Sequence, residues 1–350
     1  MNIEVLKATA KQMVAPGKGI IAADESDSTC KKRFDAVGVE CTEENRRLYR
    51  TTLFETTGLE QYISGVILYD ETIRQKGSGG LLVPEILSKK GILPGIKVDA
   101  GAKDMALHPG EKITEGLDGL RERLAEHKTL GAKFAKWRAV ITIGEGIPSE
   151  ACVSANAHAL ARYAALCQEA DVVPIVEPEV LIDGDHTIEE CYETTETTLE
   201  EVFEELNHQG VMLEGTILKA SMVIAGKKAP KQSSVEEVAD QTLRVLNATL
   251  PKNLAGVVFL SGGQGDEQAT SHLNKMNQLG PSTALGVNKQ PWPLSFSYSR
   301  AIQNPVLKKW AENPSTNVKA AQDVLLFRAK INSLATQGKY SDEMENDRPY

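Results

Sequence analysis

Apolar and polar residues follow two different periods along the chain. Short apolar runs, typical of buried strands, are separated by longer segments in which apolar residues recur every three or four positions, as in helices. We predict strands over residues 19–23, 63–69, 95–98, 134–141, 172–177, 211–219, 256–260 and 294–297. Eight strands that alternate with helices predict an α/β fold of the closed (β/α)8 TIM-barrel type.

The helical segments fall between these strands. We predict helices over residues 43–57, 117–130, 154–170, 187–208 and 234–249. No linker divides the chain, although 350 residues would allow two domains. Residues 338–350 are polar and acidic without an apolar period, so we predict one barrel domain over residues 1–337 and a flexible C-terminal tail over residues 338–350.

Composition narrows the class of protein. No apolar run approaches the roughly 20 residues needed to cross a bilayer, and the first residues lack the apolar stretch of a secretory signal, so we expect no membrane association and a cytoplasmic location. A net charge of −9 argues against nucleic-acid binding. Five scattered cysteines predict reduced thiols, and six histidines without ligand spacing predict no metal or other cofactor.

Nearly every predicted strand is followed by polar or charged residues, at the end where barrels build their active sites. Side chains two apart on a strand share a face, so Lys136 with Arg138, and Glu177 with Glu179, would point together. We therefore expect several opposite charges to share one pocket, although a purely structural network of ion pairs would give a similar pattern. The residues concerned are Asp24, Glu25, Ser26, Lys97, Asp99, Lys136, Arg138, Glu177, Glu179, Lys219, Ser261, Gly262, Gly263, Ser297 and Arg300.

Lys219 ends a run that is predicted to be a buried strand. Burial disfavours the charged form of an ammonium, and a nearby Lys136 would add to this effect, which leaves an amine able to condense with a carbonyl. Glu177 would then shuttle protons. The alternative is that Lys219 extends to the surface and has no chemical role.

The loops after the last two strands predict an anion site. Ser261-Gly262-Gly263 follows a buried run and precedes a helical segment, an arrangement that suits backbone amides around a phosphate. Arg300 follows the eighth strand, and barrels often bind phosphate between these two loops.

At this point the chain resembles the class I, Schiff-base fructose-1,6-bisphosphate aldolases from about Leu6 to Lys330. The stretches that carry the resemblance are residues 16–26, 95–99, 134–138, 174–179, 213–219, 260–264 and 296–300. The resemblance implies reversible cleavage of fructose-1,6-bisphosphate to dihydroxyacetone phosphate and glyceraldehyde-3-phosphate in glycolysis and gluconeogenesis. It also implies that no divalent metal is required, since a protonated imine is itself an electron sink.

Residue roles follow from the same resemblance. It implies that Lys219 forms the imine with the C2 ketone, and that Glu177 is the general acid/base with Glu179 and Lys136 beside it. Asp24 is similar to the acid that handles the C4 hydroxyl. The C1 phosphate is implied at Ser261, Gly262, Ser299 and Arg300, and the route of the C6 phosphate at Ser26, Thr29, Lys97 and Arg138.

Three departures from the family pattern concern phosphate binding. The family often has glycine at Ser299 and serine at Thr29, and Asp27-Ser28-Thr29 adds a negative charge to a segment that is usually uncharged. The resemblance further implies a homotetramer, and a gating role for the C-terminal Tyr350.

Other functions stay open at this stage. The same site could accept sedoheptulose-1,7-bisphosphate. Another lysine-imine barrel enzyme, such as a transaldolase or a dehydratase, is an alternative that would not need Lys136, Arg138 and two phosphate sites. A third alternative is a non-catalytic scaffold that binds sugar phosphates or a protein partner. The joint presence of Lys219, Glu177 and Asp24 argues against it.

Overall fold

A computed structural model of the protein describes residues 1–279 and 290–350. Eight parallel strands close into a barrel in the order β1-β2-β3-β6-β7-β8-β9-β10, after which β10 pairs with β1. The short antiparallel pair β4-β5 lies outside the barrel. The strands are β1 (Gly19–Ala23), β2 (Ile63–Leu68), β3 (Leu93–Lys97), β4 (Ala102–Asp104), β5 (Lys112–Thr114), β6 (Phe134–Ile141), β7 (Val173–Val180), β8 (Ile217–Ala220), β9 (Gly256–Phe259) and β10 (Leu294–Tyr298).

The predicted (β/α)8 barrel is confirmed, with two corrections to its strands. β8 begins at Ile217 rather than at residue 211, because residues Leu213–Gly215 form a 3-10 turn whose Leu213 carbonyl accepts from the Ala255 amide. β7 continues to Val180, so Glu177 and Glu179 lie within the strand instead of at its end. Both carboxylates therefore project from regular strand positions two residues apart.

Twelve helices are found in the described residues, and they include the five predicted ones. Thr187 and Ser234 each cap a helix through a reciprocal bond with the glutamate three residues on. Helix α7 begins four residues before its predicted start because Ser149 accepts from the Cys152 amide at 3.2 Å. The helices are α1 (Ile3–Met13), α2 (Asp27–Asp35), α3 (Glu43–Phe54), α4 (Asp70–Arg74), α5 (Val83–Lys89), α6 (Leu120–Thr129), α7 (Glu150–Glu169), α8 (Ile188–His208), α9 (Val235–Thr249), α10 (Asp266–Leu279), α11 (Arg300–Ala311) and α12 (Val318–Ala335).

The apolar residues form two cores. The larger lies between the barrel and its surrounding helices. The smaller fills the bottom of the barrel, where Leu6, Ala10 and Met13 of α1 pack with inward side chains of the strands, Phe134 among them. A Cβ atom on Gly95 would lie 2.2 Å from the Phe134 ring, so this position needs glycine. One end of the barrel is thus plugged by apolar groups, which leaves the other end for polar chemistry.

The C-terminal residues pack against the barrel in this structure. Residues Asp342–Asp347 form a 3-10 helix, and Glu345 pairs with the fully buried Arg328 at 2.8 Å. Tyr340 is buried, and its amide donates to Asn274. The division into a barrel and a flexible tail stays a prediction. No helix in residues 1–279 or 290–350 is both long and apolar enough to cross a membrane.

Candidate active site

A cavity of about 850 Å³ opens at the carboxyl ends of the barrel strands. It brings together thirteen of the fourteen residues to which the family resemblance assigns a role, the exception being Tyr350. Gly263, expected in the anion site, adjoins this lining through Gly262 without being part of it. The thirteen are Asp24, Ser26, Thr29, Lys97, Lys136, Arg138, Glu177, Glu179, Lys219, Ser261, Gly262, Ser299 and Arg300. Because they come from seven different strand ends or loops, closure of the barrel is what assembles them.

Lys219 lies inside the barrel, with only 4% of its surface exposed. Its Nζ is 2.8 Å from Oε1 of Glu177 on the neighbouring strand β7. The alternative that this lysine extends to the surface is therefore wrong. The ion pair with Glu177 was not evident from the sequence around Lys219, because the partner lies 42 residues earlier and meets it only through the β7–β8 pairing.

Lys136 is the centre of the buried charges. Its Nζ lies 2.8 Å from Oδ2 of Asp24, 3.1 Å from Oε2 of Glu177 and 4.0 Å from Oδ2 of Asp99. A single ammonium thus bridges the two carboxylates to which acid and base roles were assigned. Strand register explains the approach, since Lys136 pairs with Lys97 on one side and with Ile175, two residues before Glu177, on the other.

The electrostatics of this cluster keep its groups ionised. Burial raises the pKa of Asp24, but the charges of Lys136 and Lys219 outweigh it and the pKa lies well below its usual range. Burial likewise opposes the charged form of Glu177, yet Lys136 and Lys219 lower its pKa. Burial lowers and the two carboxylates raise the pKa of Lys136, with a net rise. The resting cluster therefore contains ionised carboxylates beside a charged Lys136.

Arg138 and Lys97 extend the charges toward the mouth. The Arg138 guanidinium donates to Glu179, which fixes a role for that glutamate as the partner of Arg138. Lys97 pairs with Asp99 at 2.7 Å. Asp27, the extra acid expected to disturb this region, does not line the cavity, and its carboxylate is 3.7 Å from Arg46.

The turn after β9 has the backbone needed to surround an anion. Gly262 and Gly263 adopt φ values of +57° and +104°, in the region that favours glycine. A Cβ on Gly263 would also lie 2.6 Å from Nζ of Lys227. The turn leads into α10, whose N-terminus carries a partial positive charge.

Arg300 begins α11, its guanidinium lies beside this turn, where a Cβ on Gly263 would be 3.4 Å from Nη2, and the residue stays exposed at the mouth. Desolvation, followed by repulsion from Arg33, lowers the pKa of Arg300. Among the residues that the structure describes, Arg300 has no carboxylate within ion-pair distance. Eight lysine and arginine side chains and five carboxylates line the whole cavity, so it has a formal excess of three positive charges in a chain of net charge −9.

Sequence reasoning missed several lining residues. Asp99 was noted after its strand without a role, yet its side chain separates Lys97 from Lys136. Lys32 and Arg33 also line the cavity, as does Glu25, which was expected there without a role. The signal for the two cations was the basic run Lys31-Lys32-Arg33, which lies within α2. Such a run is equally typical of a solvated helix face.

Tyr350 lies outside the cavity. Its hydroxyl donates to Oδ2 of Asp266 at 3.0 Å, and its ring contacts Phe327 and Arg348. It lines a neighbouring space of about 500 Å³ to which Arg300 also contributes. The structure thus places Tyr350 next to the site without bringing it in, and its gating role stays a prediction.

A closed (β/α)8 barrel with a buried lysine–glutamate pair beneath a cation-rich mouth defines an enzyme of the barrel class that handles anionic substrates. The family described as glycolytic, fructose-bisphosphate aldolase class-I, matches residues 5–349. The chain is 60% identical to the "Probable fructose-bisphosphate aldolase class 1" of Xanthomonas campestris pv. campestris over 340 residues, 97% of this chain and 99% of that one. It is 51% identical to "Fructose-bisphosphate aldolase 1" of Toxoplasma gondii over 337 residues, 96% and 90% of the two chains.

The fold gives the same result. A co-crystal structure of fructose-bisphosphate aldolase from Plasmodium falciparum, in complex with TRAP and a small-molecule inhibitor, superimposes with a TM-score of 0.92 at 48% identity, covering 97% of this chain and 95% of that one. The chain belongs to the class-I fructose-bisphosphate aldolase family. It is accordingly a carbon–carbon lyase of glycolysis that cleaves fructose-1,6-bisphosphate reversibly through a Schiff base.

Proposed function

We propose that Lys219 is the amine that forms the Schiff base with the C2 ketone of the open-chain sugar. The 2.8 Å contact between Lys219 Nζ and Glu177 Oε1, inside the barrel, is the observation that carries this assignment. An ionised carboxylate at this distance can take a proton from the ammonium and leave the amine nucleophilic. Lys219 is also the lysine at the end of a stretch by which the chain resembles its family.

Proton transfer in the reaction is assigned to the residues around that amine. Glu177 takes the proton from Lys219 and returns it to the carbinolamine oxygen, which leaves as water when the imine forms. Lys136 stabilises the carbinolamine as a fixed positive charge beside Glu177. Asp24, held ionised by Lys136 at 2.8 Å, accepts the proton of the C4 hydroxyl as the C3–C4 bond breaks. The electron pair of that bond passes into the iminium and gives an enamine.

The two phosphates occupy opposite sides of the mouth. Ser261, Gly262, Ser299 and Arg300 bind the C1 phosphate through backbone amides, which include that of Ser299, through the Ser261 hydroxyl and through the Arg300 guanidinium. Ser26, Thr29, Lys97 and Arg138 bind the C6 phosphate, and Glu179 orients Arg138 for this contact. Ser26 and Thr29 hydroxyls lie 3.2 Å apart, close enough to contact one anion together. Two remote phosphates orient the bond that breaks.

Several broader features belong to the same proposal. The positive excess of the cavity as a whole would also suit sedoheptulose-1,7-bisphosphate. Residues 1–337 form the catalytic barrel, and residues 338–350 a flexible tail that carries Tyr350 as a gate. The enzyme acts in the cytoplasm as a homotetramer, without a metal or another cofactor. It has no nucleic-acid or membrane partner.

Trapping the imine tests the central assignment. Borohydride reduction in the presence of dihydroxyacetone phosphate should leave a stable adduct on Lys219, identified by peptide mass, and Lys219→Ala should abolish both the adduct and turnover. Lys231→Ala is the matched control, because Lys231 is 84% exposed, pairs with Glu237 and does not line the cavity, so this variant should still be labelled at Lys219 and turn over normally. A label on another lysine, or turnover retained in Lys219→Ala, would refute the assignment, and activity abolished by EDTA would refute a metal-independent mechanism.

A further inference from the structure

The hydroxyl of Ser299 lies between three elements at the mouth of the cavity. Ser299 stands between β10 and α11, in the N-cap position of that helix, where a serine ordinarily accepts from a first-turn amide. Its side chain makes no such bond. Instead Ser299 Oγ donates to Oε1 of Glu25 at 2.7 Å and accepts from Nη2 of Arg33 at 3.1 Å.

Glu25 is the anchor of this arrangement. Its side chain is 7% exposed, and Oε1 also accepts from Nε2 of Gln303 at 2.8 Å and from Nη1 of Arg33. The backbone carbonyl of Glu25 accepts from the buried Arg50 at 2.7 Å. A fixed carboxylate thus holds Ser299 and Arg33 from one side.

The Arg33 guanidinium needs fixed contacts to stay in the cavity. It reaches the cavity from α2 and lines it together with Arg300. The two guanidiniums repel each other, and an arginine side chain has many alternative rotamers. Contacts with Glu25 and Ser299 use two of the five N–H donors of Arg33, so three remain for an anion.

We propose that Ser299 is a positioning residue for the substrate phosphate. Its hydroxyl holds the Arg33 guanidinium beside Arg300. Because that hydroxyl faces Glu25, the amides of Arg300 and Ala301 stay open to the same phosphate, whereas the next two amides of α11 donate to the Ser299 carbonyl. The C1 phosphate then meets two guanidiniums and a helix N-terminus, rather than Arg300 alone. This inference rests on the proposed function, since it concerns the phosphate end of that substrate.

A double-mutant cycle tests the inference. Ser299→Ala should raise the KM for fructose-1,6-bisphosphate about tenfold and change kcat less than twofold, because the contact is made equally to bound substrate and transition state. In an Arg33→Met background the same Ser299→Ala change should raise KM less than twofold, since the group that it positions is gone. Glu25→Gln, which keeps the shape and removes the charge, should raise KM in the same way and provides a second route to the answer.

Ser315→Ala is the matched control, because Ser315 is an exposed serine beyond the other end of α11 whose hydroxyl also bonds a side-chain oxygen, that of Asn313. Ser315→Ala should leave both KM and kcat unchanged. An unchanged KM in Ser299→Ala, or an equal rise with and without Arg33, would overturn the inference. Borohydride trapping in the same variants separates the two claims: Lys219 labelled with KM unchanged refutes the role of Ser299 alone, whereas no label on Lys219 in the unmodified enzyme refutes the proposed function.

Discussion

Replacement of Lys136 by methionine is the most informative perturbation of the buried charges. Lys136 is 3% exposed, and methionine keeps much of its volume while removing the charge. Glu177 would keep Lys219 at 2.8 Å, and Asp99 would keep Lys97 at 2.7 Å. Asp24 would lose its single ion-pair partner among the described residues, so the damage should fall mainly on that carboxylate.

The expected loss of stability follows from leaving the Asp24 carboxylate buried without an ion-pair partner. Removal of one partner of a buried ion pair typically costs about 3–5 kcal/mol, because the remaining charge is buried and uncompensated. We therefore expect Lys136→Met to lower the free energy of unfolding at pH 7.5 by about 3–5 kcal/mol. Turnover should fall as well, by roughly 10²-fold or more, since Asp24 and Glu177 would no longer keep the protonation states that the reaction needs.

The loss of stability in Lys136→Met should depend on pH, in a direction set by the pKa of Asp24. In the unmodified enzyme the pKa of Asp24 lies below its usual range, so the stability it contributes is present above the ordinary pKa of 3.8 and is lost only as pH falls through the lower folded value. In the variant, burial is left to dominate and should raise the pKa of Asp24. The folded variant then binds a proton that the unfolded chain does not, so the deficit should shrink by roughly 1–2 kcal/mol between pH 7.5 and pH 5.5.

Urea unfolding at pH 7.5 and pH 5.5 measures the loss of stability and its change with pH. Lys128→Met is the control, because Lys128 pairs with Asp171 at 3.0 Å on the surface, where its side chain is 47% exposed. That change should cost less than about 1 kcal/mol, with the same value at either pH. A loss below about 1 kcal/mol in Lys136→Met, or a loss that does not change with pH, would show that Lys136 does not hold Asp24 as described.

Two further predictions concern other charged groups. Arg300→Ala should raise the KM for fructose-1,6-bisphosphate by about 10- to 100-fold, as expected for the loss of one charge-assisted hydrogen bond. Steady-state kinetics measure this KM, with the exposed α11 variant Lys308→Ala as the control, and an unchanged KM in Arg300→Ala would contradict the prediction. His272 is buried against Gln264, and burial lowers its pKa to about 4. The unfolded chain therefore binds a proton at this histidine below pH 6.5, whereas the folded chain binds it only near pH 4. The free energy of unfolding should fall as pH decreases through this window. His272→Gln should show a smaller drop in melting temperature from pH 7 to pH 5 than the unmodified enzyme and the exposed-site variant His208→Gln, and equal drops would contradict this reasoning.

Much of the barrel could be predicted from sequence because buried parallel strands are continuous apolar runs. The prediction of β7 stopped at residue 177 since Glu177 and Glu179 are inward-facing charges, which break the apolar run of a strand that continues to Val180. Helix α1 was overlooked, although Leu6, Ala10 and Met13 recur at helical spacing. Its place under the barrel depends on packing against inward side chains of several strands, most of them distant in sequence, such as Phe134, Ile175 and Val258, which no local pattern contains.

The site was predictable to the extent that its residues follow strand ends. Thirteen residues meet in one cavity because the topology brings all carboxyl ends of the strands to the same side. The pairings within the cavity could be predicted less well, because Arg33 contacts Ser299 across 266 positions of sequence and a basic run such as that around Arg33 is equally typical of a solvated helix face. The engagement of Ser299 with Glu25 instead of the helix end could not be read from residue types, since serine before a helix usually predicts a cap.

Among the described residues, side chains of helix α1 fill one end of the barrel, away from the cavity that Lys219 lines. A bisphosphate would therefore enter, and both of its fragments would leave, through the mouth of that cavity. Because one fragment would stay bound covalently to Lys219, the free aldehyde would leave first, and the ketose-derived fragment would follow after hydrolysis of the imine. In the reverse direction the ketose-derived fragment would have to bind before the aldehyde, through the same mouth.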